Sequence, residues 1–179
     1  MLEKETVFDM MVDYITGAPV SHVGAEEARQ RVERYLVEEK GYLKKDIRVN
    51  APIAIDVAGE AYASCLDLVV SVENRRAMVI KCAAGSLESR QREVVSAARI
   101  LESLPIPRAV VSDGRSAVIY DTVSGKKIAE GLNQIPSRAE AIALLSGFQP
   151  EKLPDKRREK EKLIFRSYDS MNVNVCRNL

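Results

Sequence analysis

Two changes of hydrophobic period fix most of what this chain can become. From about Gly24 to Lys40, the apolar residues Ala25, Ala28, Val32, Tyr35 and Leu36 form one stripe of period 3.6, and Gly41 closes the predicted helix. From Ile47 the period is two, through Val49, Ala51, Ile53, Ile55 and Val57. Pro52 limits this stretch to an edge strand or two short strands, because proline cannot donate to a ladder on both sides. After the turn at Gly59-Glu60, the segments Tyr62 to Val72 and Ala77 to Ala84 are apolar on both faces and are joined by Asn74-Arg75-Arg76. They read as an antiparallel hairpin in the middle of a sheet covered on each side. The helical period returns from Glu88 to Leu104, where Pro105 and Pro107 stop it. Arg108 to Ser112 is then a third buried strand. Strand, helix, strand in this order is a right-handed crossover, which sets it parallel to the strand before the helix. Ala117 to Asp121, and a turn at Ser124-Gly125 into Lys127-Ile128, extend the sheet.

The ends read as helices. Val7, Met10, Met11, Tyr14 and Ile15 give residues 5–16 helical spacing, and further helices are expected near Ser137 to Leu145 and over 151–170. The chain therefore divides into an N-terminal helix (1–20), an α/β domain (21–148), and a charged C-terminal helix with a tail (149–179). Its 179 residues suit one domain with appendages, at roughly 150 residues per domain.

Charge excludes some function classes. Lys plus Arg is 27 and Asp plus Glu is 26, a net charge of +1, so no partner can be read from bulk charge. The N-terminus carries charges of both signs and no apolar core, unlike a signal peptide. No apolar run approaches the roughly 18 to 20 residues of a membrane helix. Cys65, Cys82 and Cys176 are widely spaced and accompanied by a single histidine, His22, which argues against a disulfide framework and a zinc site. A cytoplasmic, reduced protein with no membrane partner is the expectation.

Asp67 is the most informative residue. It lies inside the apolar strand Tyr62-Ala63-Ser64-Cys65-Leu66-Asp67-Leu68-Val69-Val70, and Lys81 stands likewise in Met78-Val79-Ile80-Lys81-Cys82-Ala83-Ala84. A charge in a buried strand is costly unless it is paired or bound to metal. Opposite charges in adjacent strands are expected to meet, either as a structural ion pair or as part of a site.

The order of elements around these residues carries a resemblance. A helix with Glu26-Glu27-Ala28-Arg29-Gln30 precedes the strand with Asp67-Leu68-Val69-Val70. The strand Val79-Ile80-Lys81-Cys82-Ala83, a helix from Glu88, and Ala109-Val110-Val111-Ser112-Asp113-Gly114 follow. Over about residues 24–146 the chain resembles the N-terminal nuclease domain of type I restriction enzyme R subunits, of the PD-(D/E)XK, restriction-endonuclease-like superfamily. The resemblance implies a mixed sheet flanked by helices, DNA binding, and Mg²⁺-dependent phosphodiester cleavage. In that family an Asp of the first strand binds Mg²⁺, and the next strand supplies Glu-x-Lys. The acids hold the metal and the lysine stabilises developing charge.

Carried over residue by residue, Asp67 matches the metal-binding Asp. Lys81 falls at the Glu and Ala83 at the Lys. In the other register Val79 takes the Glu position and Lys81 stays the Lys. Either way this strand lacks an acid. Some superfamily members draw an acid from the following helix. Here Glu93 stands at the family's Gln position, with Ala97 in place of the Tyr one turn on. Asp67, Glu93 and Lys81 would then form a displaced catalytic set, with Asp67, Glu93 and Glu27 as the metal ligands.

Three readings follow: a nuclease-like duplex-DNA-binding domain with a degenerate site, an active Mg²⁺-dependent endonuclease with displaced ligands, and a non-catalytic adaptor that binds protein. Mg²⁺ is the cofactor if the site is active, and no cofactor is expected otherwise. No Gly-x-x-x-x-Gly-Lys-Ser/Thr loop is present, and Ser124-Gly125-Lys126-Lys127 is a basic turn. Over Lys152 to Arg166 basic residues outnumber acidic ones, which suits either phosphate contact or a solvated helix. The apolar residues Leu163, Ile164, Phe165, Tyr168 and Met171 need a covering surface, either the domain itself or a second copy in a homodimer.

Overall fold

The computed structural model describes residues 9–172. Eight strands and four helices follow in the order β1 (Met10–Val12), β2 (Pro19–Ser21), α1 (Gly24–Glu38), β3 (Ile47–Val57), β4 (Glu60–Val72), β5 (Arg75–Cys82), α2 (Gln91–Ile100), β6 (Arg108–Ser112), β7 (Ala117–Asp121), β8 (Lys127–Glu130), α3 (Arg138–Gly147) and α4 (Asp155–Asp169). Strands β3 to β8 form one mixed sheet in chain order. All neighbours are antiparallel except β5 and β6, which run parallel with Ile80 opposite Val110. The crossover through α2 thus joins the strands the sequence assigns to it. The 3.6-period stripe and the glycine stop at Gly41 also place α1 correctly.

Helices cover both faces of the sheet. On one face α1 and α3 bury Val32, Leu36, Tyr42, Leu68, Ile80 and Val110. On the other, α2 and α4 bury Leu66, Val79, Val94, Ala98, Val111 and Phe165. Phe165 is 1% exposed and stacks edge-on with Tyr62, so its covering surface is the domain of its own chain. Pro52 sits on β3, an edge strand, where its missing donor does no harm.

The predicted helix over residues 5–16 is corrected over its described part. Residues 10–12 and 19–21 pair as an antiparallel ribbon instead; residues 5–8 lie outside the described residues. The cause is Asp13. Its carboxylate accepts from the Thr16 N–H at 2.7 Å, the Thr16 hydroxyl at 2.9 Å and the Ile15 N–H at 3.1 Å, and Gly17 at φ +73° completes the turn. An Asp that satisfies the next turn of backbone offers an alternative to the helix ladder.

Asp13 also ties this ribbon to α1. Arg29 Nη1 lies 3.0 Å from both Asp13 Oδ2 and Glu33 Oε1, and Arg29 also pairs with Glu26. Glu33 is fully buried, and its Oε2 has no hydrogen-bond partner among the described residues. Burial, with Asp13 and Glu26 adding to it and Arg29 opposing, pushes the Glu33 carboxyl up to about 7. The folded chain therefore holds this proton over a range where the unfolded chain, with an ordinary value of 4.5, has lost it. The associated stability is full below pH 4.5 and is lost as pH rises through about 7. Glu33→Gln should flatten the fall in stability between pH 5 and 8 by on the order of 2 kcal/mol. Denaturant titrations of both proteins across that range check this, and equal slopes would refute it.

A second prediction comes from the β6–β7 turn. Gly114 has φ +78°, and a Cβ there would overlap the Arg31 Cβ and lie 3.1 Å from the Ala28 carbonyl oxygen of α1. Gly114→Ala should cost roughly 1 to 3 kcal/mol, since neither backbone nor Cβ can give way easily. Denaturant unfolding measures it, and an unchanged midpoint would show that α1 can shift.

Candidate active site

The site begins where β4 turns over. Leu66 and Leu68 are two residues apart, yet they belong to opposite cores. Opposite them, β3 pairs Val49 with Leu68 and Ala51 with Leu66, and the intervening Asn50 takes φ +48°. Asp67 sits at this reversal. The β4–β5 pairing reaches Leu68 and Ile80 and goes no further towards the site. Beyond it, the Cys82 N–H donates to Asp67 Oδ2 at 2.7 Å. A side-chain carboxylate thus takes a donor that an unbroken ladder would give to a carbonyl of β4, and the two strands part.

Lys81 occupies the gap. Its Nζ lies 3.5 Å from Asp67 Oδ1 and 3.2 Å from Glu93 Oε1. The sequence-predicted trio of Asp67, Lys81 and Glu93 is therefore brought together. Asp67 and Lys81 come from adjacent strands, and Glu93 comes from the first turn of α2. Glu93 is 2% exposed, whereas the Asp67 and Lys81 side chains are partly open to a cleft of about 320 Å³. Burial lowers the Lys81 pKa, but Asp67, Glu93 and Asp169 together outweigh it and hold the value above that of an ordinary lysine. Lys81 is a cation at neutral pH.

Three neighbours had no signal in the sequence. Arg90 Nη1 lies 3.4 Å from Glu93 Oε2, so Glu93 is bracketed by two cations. Asn172, just past α4, donates its amide to Glu93 Oε1 at 2.8 Å and accepts from Arg90. Asp169, 2% exposed, accepts the Tyr62 hydroxyl at 2.5 Å. Asp169 and Asn172 are far along the chain from Lys81, and only the docking of α4 brings them here.

Glu27 is not among these residues. It pairs with Arg31 on the open side of α1, and Arg31 in turn donates to the Asp113 carbonyl at 3.3 Å. Cys82 is a free, buried thiol whose pKa is pushed well up, first by burial and then by Asp67, so it is no nucleophile at neutral pH. Cys65 is disulfide-bonded, which departs from the reduced state that the cysteine spacing suggests. No described helix is long and apolar enough to cross a membrane.

Asp67, Glu93, Lys81 and Arg90 balance in charge. A divalent cation would have to enter between two carboxylates already bridged by an ammonium. Among the described residues no three His, Cys, Asp or Glu side chains are grouped to hold a metal ion. The residues present do not fit Mg²⁺ as they stand.

Two of three comparisons with known proteins are silent: no curated protein and no solved structure matches the chain. The third is specific. Residues 24–136, from the start of α1 to just before α3, match the family of the type I restriction enzyme R protein N terminus (HSDR_N), and the chain belongs to that family, with a nuclease-like domain built on its mixed sheet.

Proposed function

We propose that this chain is a duplex-DNA-binding domain of the PD-(D/E)XK, nuclease-like kind in which Lys81 has replaced a metal-binding acid, so that Mg²⁺-dependent cleavage is absent or very slow. One observation carries the reading: the Lys81 ammonium lies within 3.5 Å of both Asp67 and Glu93, where a metal held by those acids would have to sit. Mg²⁺ gives up its water reluctantly and needs more than one anionic anchor. Here each anchor is already committed to Lys81, and a like charge stands between them. Protein bound to duplex DNA keeps its phosphate contacts without a metal, since those rest on Lys and Arg.

A second reading rests on the same geometry. Asp67 and Glu93 converge although they are on different elements, as a displaced acid pair in an active endonuclease would require.

Activity separates the two. The unmodified protein with Mg²⁺ should leave plasmid and linear duplex intact while still retarding duplex at low salt. Lys81→Glu combined with Ala83→Lys should create millimolar Mg²⁺ binding, seen by calorimetry, because two acids then line the cleft beside the buried Glu93. Cleavage by the unmodified protein, lost in both Asp67→Ala and Glu93→Ala, would overturn the degenerate reading and establish the displaced-acid enzyme.

Lys81→Met gives a check independent of DNA. It leaves the buried Glu93 with Arg90 as its remaining ion-pair partner among the described residues, and should destabilise the protein by about 2 kcal/mol or more at pH 8. An unchanged unfolding midpoint would show that the ion pairs of Lys81 contribute nothing to stability.

A further inference from the structure

Away from the Asp67 cleft, a second depression of about 280 Å³ opens between α2, α4 and the Ser124-Gly125 turn. Its floor is fixed. Arg99, 8% exposed, donates to Glu161 Oε1 at 2.7 Å, to the Thr122 carbonyl at 2.8 Å and to the Val123 carbonyl at 3.1 Å. Ser96 donates to the other Glu161 oxygen at 2.7 Å. Gln91 donates to the Gly125 carbonyl at 3.0 Å. Gly125, at φ +75°, brings the turn so close that a Cβ would lie 3.0 Å from Arg99 Nη2. One buried guanidinium therefore locks two helices and a turn around the hollow.

The rim carries charge without matching counter-charge. Arg92 is exposed and makes no ion pair among the described residues. Arg157 reaches Glu161 only at 3.9 Å, and both oxygens of that carboxylate are already taken by Arg99 and Ser96. Three guanidinium groups face one carboxylate, which leaves a local charge of about +2 in a pre-shaped hollow. The planar guanidinium fork pairs two-pronged with phosphate oxygens, and phosphate is the anion that a nucleic-acid backbone repeats.

We infer that Arg92 and Arg157 form a phosphate-binding site, with Arg99 as the positioning residue that holds its walls. It rests on the duplex-DNA reading in taking the polymer backbone as the source of the phosphate. In that role Arg92 of α2 and Arg157 of α4 act together, one from each side, and grip a backbone phosphate at a distance from the Asp67 cleft. The site supplies affinity and no sequence information.

The experiment uses the full chain and the double variant Arg92→Ala/Arg157→Ala, with Arg92→Lys/Arg157→Lys as a charge-preserving control. Both positions lie on the rim, so folding is checked by an unchanged melting curve. Duplex affinity is measured against salt, and inorganic phosphate is titrated separately while the arginine side-chain NMR signals are followed. The expected result is a drop of about 1 in the salt slope, at roughly 0.9 per phosphate contact, at least tenfold weaker duplex binding at low salt, and saturable phosphate shifts that the alanine variant lacks. The lysine control should keep the slope but bind phosphate more weakly. If the unmodified protein ignores duplex yet still shows saturable shifts that the alanine variant lacks, the DNA reading fails and the site stands for free phosphate. Identical phosphate titrations in the unmodified and alanine proteins would overturn the site, whatever the duplex result.

Discussion

The hydrogen bond from the Cys82 N–H to Asp67 fixes the candidate site. It replaces a ladder bond at the point where β4 reverses its faces, and so ends the β4–β5 pairing without leaving a buried donor orphaned. An orphaned buried N–H costs about 1 to 3 kcal/mol, so the strands can part only because a side chain accepts in place of a carbonyl. Once they part, Lys81 has room to lie between β4 and α2, and Glu93 can meet it from the first turn of the helix. The same carboxylate thus shapes the cleft and pairs with the Lys81 ammonium.

Much of this was legible in the sequence because the main sheet obeys simple periods. The switch from 3.6 to two at Ile47, and the return near Glu88, mark α1, the hairpin and the crossover. The pairing of Asp67 with Lys81 followed from the cost of charge in apolar strands. The reversal at Asp67 was not legible, because strict alternation puts Leu66 and Leu68 on one face, and nothing local shows that Asn50 opposite would take a positive φ. Local spacing is misleading at the N-terminal ribbon for a related reason. Met10, Met11, Tyr14 and Ile15 have helical spacing, but Asp13 between them satisfies the following backbone and turns the chain. Glu27 has the spacing of a site residue on α1 but the wrong rotational position, and its charge goes to Arg31.

Charge inside this protein is organised in compensated groups, although the whole chain nets only +1. Asp13, Arg29 and Glu33 join the ribbon to α1. Lys81, Asp67 and Glu93 join the hairpin to α2. Arg99 and Glu161 join α2 to α4. Buried pairs of this kind add little net stability, because desolvation consumes most of the attraction. Each one instead penalises a wrong docking of the two elements it joins, since separation would leave an unpaired charge out of water.

Helix α4 gives that argument its sharpest case. It lies wholly beyond the family-matched residues 24–136, yet it covers the same sheet face as α2 and buries Phe165 in the core. Its Glu161 locks Arg99, its Asp169 raises the affinity of Lys81 for its proton, and the Asn172 that follows it bonds Glu93. A metal-binding acid pair needs carboxylates held open towards solvent. Here the added helix works in the opposite direction: it brings an amide to Glu93 and a third carboxylate to the field around Lys81. Both favour the ammonium form at the centre of the site, and each further contact to Glu93 raises the cost of freeing that acid for a metal. A lysine at this strand position and the docking of α4 therefore reinforce one another physically, and replacing Lys81 by an acid alone leaves Asn172 and Arg90 still competing for Glu93.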